Sequence, residues 1–432
     1  MSKPIAPAAP SVFPILPGMA ANGQPITLGV MGGGQLGRMF VHAAQACGYA
    51  TAVLDPDATS PAGLVSHHHV QTDYLNPQGL AELGQRCAAI TTEFENVPAQ
   101  ALLTLAGMRP VAPAAQAVSI AQDRAQEKAH FGRCGVPCAP YAVIETAAQL
   151  AAVDAHLLPG VLKTTRLGYD GKGQIRVKNR AELVAAWGQL KGVPCVLEKM
   201  LALKSECSVI VARGWDGACV NLPVQLNLHR DGILAVTEVF GTNLPSALAK
   251  HAIAAAKSIA HELKYVGVLC VEFFVLKDAS ADKKALGGLV VNEIAPRPHN
   301  SGHYSMDACD ISQFDLQVRT LAGLPLTQPR QHSPAIMLNL LGDLWFLPPP
   351  KREEAITTVP ALLEPEPTPP AWDKVLALPG THLHLYGKTR PAKGRKMGHL
   401  NITGATVAEV RATALRAAKL LGIKPFYKRV GR

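Results

Sequence analysis

The stretch LGVMGGGQLGRMF, Leu28 to Phe40, constrains this chain more than any other. An apolar run enters a glycine cluster and leaves as a helix-forming sequence, and glycine lets the backbone turn sharply without a Cβ in the way. Gly32, Gly34 and Gly37 fit the spacing of a dinucleotide-binding turn, and an acid, Asp55, follows about twenty residues on in TAVLDPD. The pattern predicts a strand, a turn and a helix whose first amides face an anion. Read alone, it points to an NAD site.

The alternation continues past the turn. ITLGVM and YATAVLD read as strands, QLGRMFVHAAQACG and NPQGLAELGQRC as helices, and AAITTEF as a further strand. Such alternation predicts a Rossmann-like parallel sheet with helices on both faces over residues 25–120. PVAPAAQAVSIAQDRAQEKAHFGRCGVP then reads as one helix bounded by prolines, at a domain boundary. From there to residue 328 the pattern is α+β. Its strands are GVLKTT, QIRVK, CVLEKM and ECSVIVAR, then a long helix, PSALAKHAIAAAKSIAHELK, and the pair VGVLCVEFFV and GGLVVNEI. The proline clusters LPPPKREE and LEPEPTPPAW mark loops in a third, smaller region, residues 329–432. Residues 1–24 read as a disordered lead-in; prolines interrupt any signal-peptide core and Lys3 is the one basic residue.

Composition narrows the function classes. No apolar run reaches the roughly 18 residues of a membrane span, so no membrane partner is expected. Nine scattered cysteines, without a second pair at zinc spacing, suit reduced thiols in a cytoplasmic protein. The net charge of +10 is concentrated in the tail, where Glu409 is the only acid from Lys388 onward. That excess suits a phosphorylated small molecule better than nucleic acid, because stacking aromatics are sparse and no nucleic-acid motif is present.

Four constellations carry chemistry. In VLKTTRLGYDGKGQIRVK, Lys163 ends a strand, and the glycines at 168, 171 and 173 form either a phosphate-covering lid or an ordinary hairpin turn. Glu272 and Glu293 are acids in apolar strands joined by KDASADKKALGG, so a hairpin places both on one face. With Asn292 they offer hard oxygen ligands suited to Mg²⁺. Arg297, His299, Asn300, Ser301 and His303 crowd the loop after Glu293 as an anion-binding wall. VLEKMLALKSE reads as a hinge at Glu198 and Lys199, with Glu206 available for ribose hydroxyls.

These constellations, in this order, resemble the ATP-grasp superfamily, and within it the N5-carboxyaminoimidazole ribonucleotide synthase family of purine biosynthesis. The strings that carry the likeness are GGGQLGRM, TTEFENVP, QDRAQEK, GYDGKGQ, NEIAPRPHNSGH and HLYGKTRPAKGRKMGHLN, spread over about Ile26 to Thr403. The resemblance implies a central ATP-grasp domain over residues 121–328 and a small basic C-terminal domain after it. It implies ATP at Arg124, Lys163, Gly168, Tyr169, Asp170, Gly171, Lys172, Gly173, Gln174, Glu198, Lys199, Met200, Leu201, Glu206 and His229, with Asn292 and Glu293 beside it. Mg²⁺ falls on Glu272 and Glu293. 5-Aminoimidazole ribonucleotide falls near Tyr169, Asp170, Glu93, Gln35 and Leu36, its phosphate on Lys388, Arg395 or Lys396. RPAKGRK departs from the commoner RPGRK, which leaves open which of those cations holds the phosphate.

The implied reaction is ATP-dependent carboxylation of that ribonucleotide with bicarbonate through carboxyphosphate. Lys163 offsets phosphoryl charge, Arg297 supports carboxyphosphate and Asp170, beside Tyr169, relays the amine proton. On the resemblance the glycine turn meets a ribonucleotide phosphate rather than a dinucleotide, and the assembly is a homodimer. A formate-dependent glycinamide ribonucleotide transformylase is the alternative ligase.

Overall fold

A computed structural model describes residues 14–21, 23–168, 173–278, 287–346 and 366–426. The N-terminal sheet runs His68–Val70, Ala50–Leu54, Thr27–Met31, Ala89–Thr92, with every strand parallel to its neighbours. Thr27–Met31 and Ala50–Leu54 are buried at every position. That is why both read as continuous apolar runs instead of alternating ones: helices cover both faces of a parallel sheet. The helix Gln35–Ala46 leaves the glycine turn and packs on the helix Gln313–Ala322 of the central region. The shared core includes Phe40, Val41, Val318 and Leu321.

Of the segment expected as a disordered lead-in, residues 1–13 and 22 lie outside the described residues and the others dock on the fold. Ile15 donates its amide to Ala322 O at 2.8 Å and accepts from the Tyr49 hydroxyl at 2.6 Å, which holds them over this seam. The expected single helix of the boundary segment is also two, Ala115–Ala121 and Arg124–Arg133. Asp123 breaks it: its carboxylate caps the second helix, accepting from the amides of Ala125 and Gln126.

The central region carries two sheets. Tyr141–Ile144, Cys195–Lys199, Gly160–Thr164 and Gln174–Val177 form a four-stranded antiparallel sheet. The second has nine strands and is built on the long antiparallel pair Leu203–Arg213 and Gly267–Leu276. Residues alternate between its faces. Val209, Val211, Leu269 and Val271 pack under the helix Ser246–Glu262, while Ile210, Ala212, Val268 and Cys270 face Tyr304 and Leu316. Glu272 falls on the Cys270 side by the same period of two.

The C-terminal strands do not form a sheet of their own. Ala335–Leu341 pairs with Ile233–Val239 of the central region, Lys396–Thr403 with Ala335–Leu341, and Thr381–Leu385 closes the edge. The helix Val407–Leu420 covers this end, burying Val410, Ala414 and Ala417. One ladder therefore links the Glu272 hairpin to the basic C-terminal loop.

Candidate active site

A cleft of about 1160 Å³ opens among the three regions. Gln35, Leu36 and Glu93 line it from the N-terminal sheet, Arg124, Glu127, Lys163 and Met200 from the central one, and Lys396 from the C-terminal loop. Leu201, Glu206, His229, Glu272, Asn292, Glu293 and Arg297 line it too. The expected lid is represented by Gly168, Gly173 and Gln174, all at the cleft. Tyr169, Asp170, Gly171 and Lys172 lie outside the described residues.

The paired carboxylates sit where the hairpin was expected to put them. Glu272 and Glu293 are direct register partners on Gly267–Leu276 and Leu289–Ala295, hence on one face. The register then slips, Phe273 pairing with Val291, so Asn292 is an extra residue in its strand. A bulge of this kind re-aims side chains, and it is why adjacent Asn292 and Glu293 both reach the cleft. Asn292 Oδ1 is buried with no partner among the described residues.

The two acids differ in state. Burial pushes Glu293 upward, but Arg124, 3.0 Å from its Oε2, and Lys163 outweigh burial and hold it low. Burial and the Glu293 charge push Glu272 up to about 7. Its Oε1 is 3.0 Å from His299 Nε2, a ring kept neutral by burial and by the Arg297 charge. Glu206 Oε2 meets His229 Nδ1 at 2.7 Å, and despite burial that bond and the nearby carboxylates hold His229 toward its cationic form.

Two expected side-chain roles meet partners the sequence did not show. The Glu198 carboxylate is engaged within the chain, which leaves backbone groups as what a hinge there would offer a nucleotide. Glu198 is 4% exposed, its carboxylate shared by Lys128 Nζ at 3.2 Å and Lys163 Nζ at 3.1 Å. Burial opposes that charge, yet the two lysines hold Glu198 down to about 2. Lys199 does not line the cleft. Arg297 does reach the cleft, but its guanidinium is forked on Glu95, with Nη2 3.1 Å from Oε1 and Nε against Oε2.

Lys128, Glu95 and Glu127 were the omissions. Glu127 Oε1 accepts the Ile294 amide at 2.7 Å, fixing the strand at the residue after Glu293, and burial pushes Glu127 up to about 8. Arg124, Glu127 and Lys128 are spaced three and four apart, one helix face, and that face of charges in QDRAQEK was the available signal.

At the other end of the cleft the glycine turn is filled by the chain itself. Gly33 N donates to Asp55 Oδ2 at 2.7 Å, Gly34 N to Glu93 Oε1 at 2.7 Å and Gly37 N to Glu93 Oε2 at 2.9 Å. Asp55 is thus spent on the turn instead of a ribose, which corrects the NAD reading. Gly32 has φ of +100°, and a Cβ on Gly37 would meet Gly32 O at 2.7 Å, so the spacing reports backbone geometry. The amides of Gln35 and Leu36 open the helix, where no helical carbonyl precedes them. Of the tail cations, Lys396 lines the cleft; Lys388 and Arg395 do not. Lys388 Nζ donates to Lys396 O at 2.8 Å and Arg395 Nη1 to Arg390 O at 2.7 Å.

This arrangement of an N-terminal parallel sheet, a two-sheet central unit and a carboxylate-lined cleft between them is that of an ATP-grasp enzyme, an ATP-dependent ligase. Residues 26–122 match the ribonucleotide synthetase preATP-grasp domain and residues 129–314 the ATP-grasp domain. Residues 335–413 match the phosphoribosylaminoimidazole carboxylase C-terminal domain. The N5-carboxyaminoimidazole ribonucleotide synthase of Brucella melitensis is 41% identical over 381 residues, 87% of this chain and 95% of that protein. That of Bacillus subtilis is 36% identical over 86% of this chain and 90% of its own length. The chain belongs to the N5-carboxyaminoimidazole ribonucleotide synthase family.

Solved structures agree. An ADP complex of one such synthetase superposes with a TM-score of 0.80 at 36% identity, covering 95% of this chain and 97% of that one. The synthase of Aspergillus clavatus, in complex with ADP and 5-aminoimidazole ribonucleotide, gives 0.78 at 30% identity, covering 92% and 98%. Among the described residues no helix is long and apolar enough to cross a membrane.

Proposed function

We propose that this chain carboxylates 5-aminoimidazole ribonucleotide with bicarbonate at the expense of ATP, giving N5-carboxyaminoimidazole ribonucleotide, ADP and phosphate in purine synthesis. The register pairing of Glu272 with Glu293 carries this reading. It makes one end of the cleft anionic while Lys396 and the Gln35 turn make the other end fit for a phosphate.

The donor set fits a hard divalent cation: two carboxylates face each other and a buried amide oxygen, Asn292 Oδ1, lacks a partner among the described residues. Mg²⁺ held by Glu272 and Glu293 supplies charge neutralisation for the nucleotide phosphates. Arg124 keeps Glu293 ionised for that purpose. Lys163, shared with Glu198, places a cation where the phosphates of ATP lie. Glu206 and His229, with Met200 and Leu201, form the nucleotide end.

In the first step a bicarbonate oxygen bonds to the γ-phosphorus and the bond to ADP breaks. In the second the exocyclic amine bonds to the carboxyl carbon, phosphate leaves and one proton is given up. Positioning and fixed charge supply most of the catalysis. Arg297, oriented by Glu95, supports the carboxyphosphate, and Asp170, next to Tyr169, takes the amine proton. Lys172 and the glycines of the same loop exclude water from the labile intermediate. Lys396 takes the ribonucleotide phosphate together with the amides of Gln35 and Leu36, and Lys388 and Arg395 support it from behind.

The family further supports a homodimer in the cytoplasm, with no nucleic-acid or membrane partner; light scattering at twice the 45.7 kDa chain mass tests the assembly. The deciding experiment is ADP release from ATP and aminoimidazole ribonucleotide with and without bicarbonate. Turnover that needs both supports the reading, and turnover stimulated by formate instead overturns it.

A further inference from the structure

We propose that Cys270, Glu272 and His299 bind a thiophilic divalent cation, zinc above all, and that occupancy switches the ligase off by withdrawing Glu272. The inhibitory part rests on the role given above to Glu272; the binding part does not.

Cys270 and Glu272 are two apart on one strand and share a face, and His299 arrives on the loop that follows the partner strand. Their donor atoms all lie within 4.8 Å of one another, the one such group of three among the described residues. A tetrahedral zinc spaces its donors by roughly 3.3–3.8 Å, so side-chain adjustments close the set. Sulfur and imidazole nitrogen beside one carboxylate select zinc over Mg²⁺, which requires an oxygen octahedron.

The ring of His299 is already oriented, but its Nδ1 accepts the Ser301 amide at 3.3 Å. A cation at Nε2 therefore requires the ring proton to move to Nδ1, where Ser301 Oγ can accept it. His299 Nδ1 is 2.9 Å from Ser301 Oγ, which is 2.8 Å from Ser208 Oγ, so the ring is held with Nε2 toward Glu272. Glu272 and His299 line the cleft and fully buried Cys270 lies beyond that lining, so a cation enters from the cleft and keeps its open position there for water. On binding, the Cys270 thiol releases its proton to solvent and the sulfur–metal bond forms in its place. Glu272 then no longer faces Glu293 as a free ligand.

The test uses the full chain, dialysed against chelator and free of nucleotide, titrated with Zn²⁺ by calorimetry and with Co²⁺ by absorption. The parent is expected to bind one Zn²⁺ per chain and to give a thiolate-to-cobalt band. Cys270→Ser and Cys270→Ala are expected to lose the band and at least about tenfold in zinc affinity, the loss that even outer-shell changes produce. With Mg²⁺ in excess, Zn²⁺ should inhibit the parent, and Cys270→Ser should keep basal turnover while needing at least about tenfold more Zn²⁺. Variants that bind zinc as tightly as the parent, or a parent that binds none, overturn the site. Binding without inhibition overturns the switch. Because the titrations need no turnover, failure of the carboxylation reading leaves their outcome intact.

Discussion

Glu272 and Glu293 face each other across an antiparallel ladder, yet each carboxylate is held by a different kind of partner. Arg124 neutralises Glu293 at 3.0 Å, whereas Glu272 has a neutral imidazole, His299, at 3.0 Å. Two like charges this close cannot both persist without a second counter-charge. The fold gives Glu293 a bonded cation, while the charges of His229 and Arg297 near Glu272 do not offset its burial and the Glu293 charge.

Removing either charge should therefore uncouple the site in different ways. Glu272→Gln and Glu293→Gln are each expected to lower kcat by about 10²–10³-fold and to raise the Mg²⁺ requirement. Only Glu293→Gln should also lower the melting temperature, since it strands Arg124. Steady-state kinetics across a Mg²⁺ series, with a thermal melt of each variant, checks this.

Stability should depend on pH through the same pair. A carboxyl raised from 4.5 to about 7 in the folded state contributes stability below about 4.5 and loses it as pH climbs through about 7. Glu127, raised to about 8, acts in the same direction. Melting temperature in chelator is expected to fall between about pH 5.5 and 8.5, less steeply in Glu272→Gln, and Mg²⁺ should restore part of the loss in the parent.

Lys388 gives a separate limb. Burial and the Arg395 charge lower it to about 8. Above that pH the loop loses a cation, so KM for the ribonucleotide should rise while KM for ATP holds, a split read from initial rates.

Glu198 bonds to two lysines, fully buried Lys128 and cleft-lining Lys163. Glu198→Gln leaves Lys128 and Lys163 facing each other uncompensated, and breaking a buried pair costs about 3–5 kcal/mol. Urea unfolding should register that loss, and a variant as stable as the parent would refute the arrangement.

Glu93 accepts from Gly34 and Gly37 with one oxygen each. In Glu93→Gln one of those amides meets an NH₂ group, at a cost of about 1–3 kcal/mol. The turn should shift, and KM for the ribonucleotide should rise with little change in nucleotide affinity measured by equilibrium binding.

Much of this was legible in the sequence because it depends on periodicity. The glycine turn, the parallel strands and the Glu272–Glu293 hairpin all follow from local pattern and a short connector. Partners distant along the chain were not legible. Nothing near Arg297 points to Glu95, 202 positions away, or near Glu198 to Lys128. The bulge at Asn292 escaped for another reason: one extra residue leaves the apolar pattern of VVNEI intact while reversing where a side chain points. Taken by itself the turn gives the geometry and a misleading ligand, because a carboxylate from the neighbouring strand can satisfy the same amides as a pyrophosphate. The family resemblance replaces that ligand with a ribonucleotide phosphate.

The shared nine-stranded sheet has a consequence for protein engineering. A chain cut before Ala335 would bare the rim of Ile233–Val239, an open ribbon ready to stick to another copy. Transplanting the tail from a relative to change acceptor preference would succeed only if the graft matched the Val236–Leu338 pairing, since a slip of one position would turn every inward side chain outward. The acceptor end and the nucleotide end are planks of one floor and have to be relaid together.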